Sequence, residues 1–93
     1  LRFTGYIKIL QPGIYRFYTS SDDGSKLYIG DTEVVNNDGL HGNLEKDNAI
    51  ALAVGLHPIT VSFFERGGDQ VLSVQYAGPG ISKQPVPDGI LFR

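Results

Sequence analysis

Thr19-Ser-Ser-Asp-Asp-Gly-Ser-Lys-Leu-Tyr-Ile29 places two adjacent carboxylates and a glycine between two strand-like runs. Asp23-Gly24 is a turn signal, because glycine accepts positive φ without a Cβ penalty. Beyond it, Leu27 and Ile29 resume period-two alternation. Neighbouring aspartates at such a corner repel unless a cation or several donors stand between them. Two arrangements answer that repulsion. The pair can hold a hard metal ion, or it can brace the turn through Asx-type bonds to backbone N–H groups.

The same alternation extends to both sides. Phe3, Ile7 and Ile9 share one face of a strand over residues 2–10, with Thr4, Tyr6 and Lys8 opposite. Gln11-Pro12-Gly13 is a turn. Tyr15, Phe17 and Thr19 share a face over residues 14–20. Gly30-Asp31 is a hairpin signal between strands at residues 26–29 and 33–35. Residues 36–48 are polar and rich in turn formers, and read as the longest loop. Ile50, Leu52 and Val54 are expected to point inward together. Gly55-Leu-His-Pro58 reads as a turn, with His57 capping it. Ile59, Val61 and Phe63 form one inward face, and Leu72, Val74 and Tyr76 another. Arg66-Gly-Gly-Asp69 is a tight turn. The tail, residues 85–92, is proline-spaced with an apolar end. No helix is expected, since residues 44–52 fit period two better than 3.6. Seven or eight short strands with regular turns point to an all-β, antiparallel β-sandwich.

Composition narrows the function. The chain has 93 residues, enough for one small domain over residues 1–93. Hydrophobic residues make up 41%, and the net charge is −2 with no basic cluster. Nucleic-acid binding is therefore not expected, since it requires gathered Lys and Arg. The absence of cysteine excludes disulfides and cysteine-ligated zinc. No signal peptide or transmembrane run is visible. The strand-like opening without Met suggests a module excised from a longer protein.

Catalytic constellations are weak. No serine occupies a Gly-x-Ser-x-Gly elbow. Asp22 and Asp23 adjoin in sequence, whereas glycosidase carboxylates face each other across a sugar. The chain is not expected to be an enzyme. Asn36, Asp38, Gly39 and Glu45 fall at four positions of a calcium-loop pattern, but Val34 takes its first ligand position and the flanks are strands. Sugar binding remains open: carboxylates and amides hold hydroxyls, and polar loops at one end of a sandwich suit a shallow polyol site. The candidate contacts are Asp22, Asp23, Asn37, Asp38, His41 and Arg66.

The order of motifs narrows the choice: Phe3-Thr-Gly-Tyr-Ile7, Gly13-Ile-Tyr-Arg-Phe17, the Asp22-Asp23 stretch, Val35-Asn-Asn-Asp-Gly-Leu-His-Gly42, Gly55-Leu-His-Pro-Ile59 and Tyr76-Ala-Gly-Pro-Gly80. Together they resemble the protective-antigen β-sandwich domain, the PA-fourteen family, over nearly the whole chain. The family is longer than this chain, so its N-terminal strands are expected to be missing. The resemblance implies a non-catalytic carbohydrate-binding module of an exported protein, extracellular, cell-surface or periplasmic. Its flavour is that of copies appended to bacterial glycoside hydrolases. Implied partners are a glycan or cell-wall polysaccharide and a neighbouring catalytic domain, without nucleic acid or membrane insertion. The alternative role is a structural or protein-docking module packed on that catalytic domain, with Tyr6, Tyr18 or Tyr28 at the interface. In fungal adhesins of the family, two adjacent aspartates joined by a cis peptide bind calcium, which orients a sugar. The resemblance thus implies calcium at Asp22 and Asp23. Those adhesins add an asparagine from a later loop. The matching turn here has none, leaving Glu65 or Asp69 as substitutes.

Overall fold

Period-two alternation gives each strand one apolar face, and two such faces bury each other. The computed structural model of the chain describes residues 2–21, 24–37, 44–64 and 72–92. Its strands are β1 (Arg2–Ile9), β2 (Gly13–Ser21), β3 (Gly24–Ile29), β4 (Thr32–Asn37), β5 (Leu44–Leu52), β6 (Gly55–Phe64), β7 (Leu72–Gly78), β8 (Ile81–Pro85) and β9 (Leu91–Phe92). A five-stranded sheet has the order β4-β3-β6-β1-β9, and a four-stranded sheet the order β5-β2-β7-β8. All pairings are antiparallel. The expected all-β sandwich is what forms.

Between the layers lie Ile7, Ile9, Tyr15, Phe17, Leu27, Ile29, Val35, Ile59, Val61 and Tyr76, all buried. Each large apolar side chain so buried contributes about 1.5–3 kcal/mol. Tyr76 stacks on Tyr15 at a ring-centroid distance of 6.4 Å and tilts against Phe17 at 6.3 Å. Tyr15 donates its hydroxyl to the Gln11 carbonyl at 2.6 Å, so the buried ring keeps a satisfied polar end. Gly78 allows this packing: a Cβ there would stand 2.5 Å from the Tyr15 ring.

Only β3–β4 and β7–β8 are sequence-adjacent strands that pair with each other; the other connections pass from one sheet to the other. The 22–23 link, between β2 and β3, is therefore a corner between layers. A hairpin would have joined paired strands.

Several local expectations give way to pairing. Residues 36–48 were expected to form a loop, yet Asn36 and Asn37 end β4 and residues 44–48 belong to β5. There β5 runs along the edge of the four-stranded sheet, paired with β2 from Ser21↔Leu44 to Gly13↔Leu52. An edge strand with one ladder and an exposed face tolerates polar residues. Gly55-Leu-His-Pro58 is strand, not turn, because it pairs with β1 from Ile9↔Gly55 to Tyr6↔Pro58. The reversal lies one step earlier, at Ala53 and Val54. Val54 is consequently 60% exposed instead of inward. His57 does cap that reversal, with Nε2 2.7 Å from the Ala53 carbonyl. The apolar tail forms β9, which pairs with Tyr6 and Ile7.

Burial, with Tyr15 close by, pushes the Tyr76 hydroxyl up from its ordinary value of 10.0. The unfolded chain then holds fewer protons than the folded one above pH 10, so stability falls as pH rises through that range. Urea midpoints should drop as pH rises above 10, and Tyr76→Phe should lessen the drop.

Candidate functional site

The inward positions change character toward one rim. Along β2 they run Tyr15, Phe17, Thr19, Ser21; β3 starts Ser25 before Leu27; β4 ends with Asn37 after Val35. Thr19, Ser21, Ser25 and Asn37 are all buried. The Ser25 hydroxyl donates to Thr19 Oγ1 at 3.2 Å. A serine has one proton to donate. Ser21 is therefore the donor in the 2.8 Å contact between Ser21 Oγ and Ser25 Oγ. Asn37 Nδ2 donates to the carbonyl of Leu44 at 2.6 Å and to that of Thr19 at 3.2 Å. These bonds cross from β3 and β4 of one sheet to β2 and β5 of the other.

Strand register gathers several strand ends beside this polar floor. Ser21 pairs with both Leu44 and Leu72. Gly24 pairs with Phe64, and Ser25 with Asn37. The strand ends flanking residues 22–23, 38–43 and 65–71 therefore meet at one rim. Only two residues join Ser21 to Gly24, a reach of roughly 11 Å over three Cα steps.

Of the expected contacts, Asn37 alone falls among the described residues. It is buried, with its amide turned to two backbone carbonyls, so it braces the rim and does not face solvent as a sugar contact would. Satisfying two carbonyls from inside outweighs exposure for a side chain at an inward strand position. Asp22, Asp23, Asp38, His41 and Arg66 lie outside the described residues, as do Glu65, Asp69 and the Asp22–Asp23 peptide. Among the described residues, no three His, Cys, Asp or Glu side chains gather as a metal cluster, and no helix is long and apolar enough to cross a membrane.

The family model of the PA14 domain matches residues 1–89. The chain belongs to the PA14 domain family. Comparison with curated proteins finds no match. Among solved structures, an anti-sigma factor domain-containing protein from Clostridium clariflavum is similar at 29% identity and a TM-score of 0.80, over 98% of this chain. The PA14 domain of MpAFP antifreeze protein gives 22% identity and a TM-score of 0.85 over 97%. A PA14 sugar-binding domain from an RTX adhesin gives 23% identity and a TM-score of 0.78 over 90%. This PA14 domain spans 32% of the first of these chains, 49% of the second and 48% of the third.

Residue types alone did not single out the hydroxyl floor of this PA14 domain. The signal was present in the inward series of β2, where Thr19 and Ser21 follow Phe17 at period two. Ending that strand at residue 20 hid Ser21.

Asn37→Ala should lower unfolding stability by about 1–3 kcal/mol, since two buried carbonyls lose their donor. Asn37→Asp should cost more at neutral pH, because a carboxylate faces two carbonyl oxygens and donates to neither. Denaturant titration of both variants checks the order.

Proposed function

We propose that the chain is a non-catalytic carbohydrate-recognition module whose glycan site is the rim formed by the 22–23, 38–43 and 65–71 loops. The carrying observation is the register that brings the strand ends flanking all three loops together over the Thr19, Ser21, Ser25 and Asn37 floor. Every surface contact proposed from sequence belongs to one of those loops. Asp22, Asp23, Asp38, His41 and Arg66 are assigned to the sugar, and Asn37 to bracing. The RTX adhesin domain described as sugar-binding has the same fold, which favours this assignment.

Calcium at Asp22 and Asp23 is part of the proposal. The ion takes six to eight oxygen ligands. The two carboxylates contribute hard oxygens, and Asp38, Glu65 and Asp69 belong to loops of the same rim. A bound divalent ion would supply a charge for sugar hydroxyls to coordinate. We further propose an exported parent protein, with a glycoside hydrolase as the neighbouring domain.

Titration calorimetry against a panel of neutral and acidic oligosaccharides should give saturable binding that EDTA weakens. Asp23→Ala should reduce it at least about tenfold, the scale of one lost charge-assisted bond. Calcium should raise the melting temperature of the wild type and not of Asp23→Ala. Flat titrations with and without calcium overturn the proposal.

One observation favours a docking role at the opposite pole. Leu10, Ile14, Val54 and Leu56 are exposed there, Leu10 by 70%. Ile9↔Gly55 and Gly13↔Leu52 bring the chain ends that carry them together. Leu10 and Val54, at the reversals of this pole, suit packing against an adjoining domain, which would direct the rim outward, while Ile14 and Leu56 face out from opposite sheets. Replacing Leu10 and Val54 with serine should leave glycan affinity unchanged and reduce self-association on sedimentation at high concentration. Unaltered sedimentation and solubility would remove the docking role.

A further inference from the structure

The outer faces of the two sheets are finished differently. On the four-stranded sheet, charges are already matched. Arg16 pairs with Asp47 at 2.6 Å, and Lys83 pairs with Glu45 at 2.7 Å. Lys83 also lies 4.4 Å from the centre of the Tyr18 ring, so that aromatic face is covered by a cation. The hydrogen bond to Glu45 holds the Lys83 amine above its ordinary range, which keeps the strap charged.

The five-stranded sheet carries outward basic residues at Arg2, Lys8 and Lys26. Its outward positions form rows of cross-strand neighbours: Tyr28, Thr60 and Thr4 in one, and Lys26, Ser62 and Arg2 in the next. Tyr6 stands opposite Pro58 one row further along. Two open hollows of about 500 and 530 Å³ lie on this face and share Arg2 and Thr60. Tyr6 lines the first and Tyr28 the second. The two hollows adjoin at Arg2 and Thr60; Thr60 and Thr4 stand between Tyr28 and Tyr6, and the Arg2 row flanks them on the side away from Tyr6.

We propose that this surface, from Tyr28 across Thr60 and Thr4 to Tyr6 with Arg2 at its flank, binds a linear glycan carrying carboxylates. Three features select that occupant. Two strand spacings and two residue steps put the tyrosines roughly 12 Å apart. That separation suits a chain of several sugar rings better than a monosaccharide. Thr4, Thr60 and Ser62 between them offer hydroxyls to a polyhydroxyl chain, while tyrosine rings stack on apolar sugar faces. Arg2 and Lys8, outward on the same strand, and Lys26 across the sheet bring positive charge to this face. Arg2 presents a fork that matches a carboxylate. Asp31 and Glu33 occupy the β3–β4 side, so the anionic groups belong on the β1 side of the surface.

The surface lies on the outer face of the five-stranded sheet, its Arg2 row two residues from the rim at Gly24↔Phe64, and calcium at the rim is no part of it. The test uses hexagalacturonate, its fully methyl-esterified form, and hexaglutamate as a peptide of similar charge. Hexagalacturonate should move the amide resonances of Thr4, Tyr28 and Thr60, with or without EDTA, and in Asp23→Ala as in wild type. The methyl ester should bind more weakly, and added salt should weaken the acid form. Tyr28→Ala and Arg2→Gln should each lower affinity about tenfold while melting near the wild type. The assignment is overturned if resonance changes are absent or confined to Ser21, Gly24 and Asn37, or if both variants bind as wild type. Equal binding of hexaglutamate overturns it in favour of an acidic peptide. Concentration-dependent shifts of these amides without sugar overturn it in favour of a second copy of the chain.

Discussion

Two sheets that share only apolar side chains can slide over one another, because dispersion contacts have no preferred direction. The bonds among Thr19, Ser21, Ser25 and Asn37 supply a direction at one rim. They tie the end of β2 to the starts of β3 and β5 and the end of β4, in a buried place where a missed bond is costly. With that rim pinned, the loops above it have a common base. The apolar filling below contributes most of the stability, and the polar floor sets the alignment of the layers.

The same floor fixes the two strand ends, Ser21 and Gly24, between which the chain passes from one sheet to the other. Asn37 gives up the surface to donate its amide to the carbonyls of Thr19 and Leu44.

The two outer faces show how similar residues acquire different roles. Tyr18 and Tyr28 both point outward from strands next to a sheet edge. Lys83 covers Tyr18 and completes its pairing with Glu45, leaving a closed surface. Tyr28 instead lines an open hollow that shares Arg2 and Thr60 with a second one. What separates the two rings is their cross-sheet neighbours, which residue type does not reveal.

The amino-acid order by itself determined the fold class, the inward sets of β1, β2, β3 and β6, the hairpin at Gly30-Asp31 and the family. Alternation and turn chemistry are relations between residues one to four apart, so they can be read along the chain. The motif order spans the chain and identified the PA14 domain. Tertiary structure decided that the Asp22-Asp23 corner joins two sheets, that the ends flanking three loops meet at one rim, and that residues 44–48 are strand. It also turned Asn37 inward, Val54 outward, and the tail into β9. Each of these depends on ladder partners dozens of residues away, such as Ser21 with Leu72 or Tyr6 with Phe92. A strand's composition does not say which neighbour will satisfy its backbone, and that choice, made by the packing of the whole sandwich, assembles the rim.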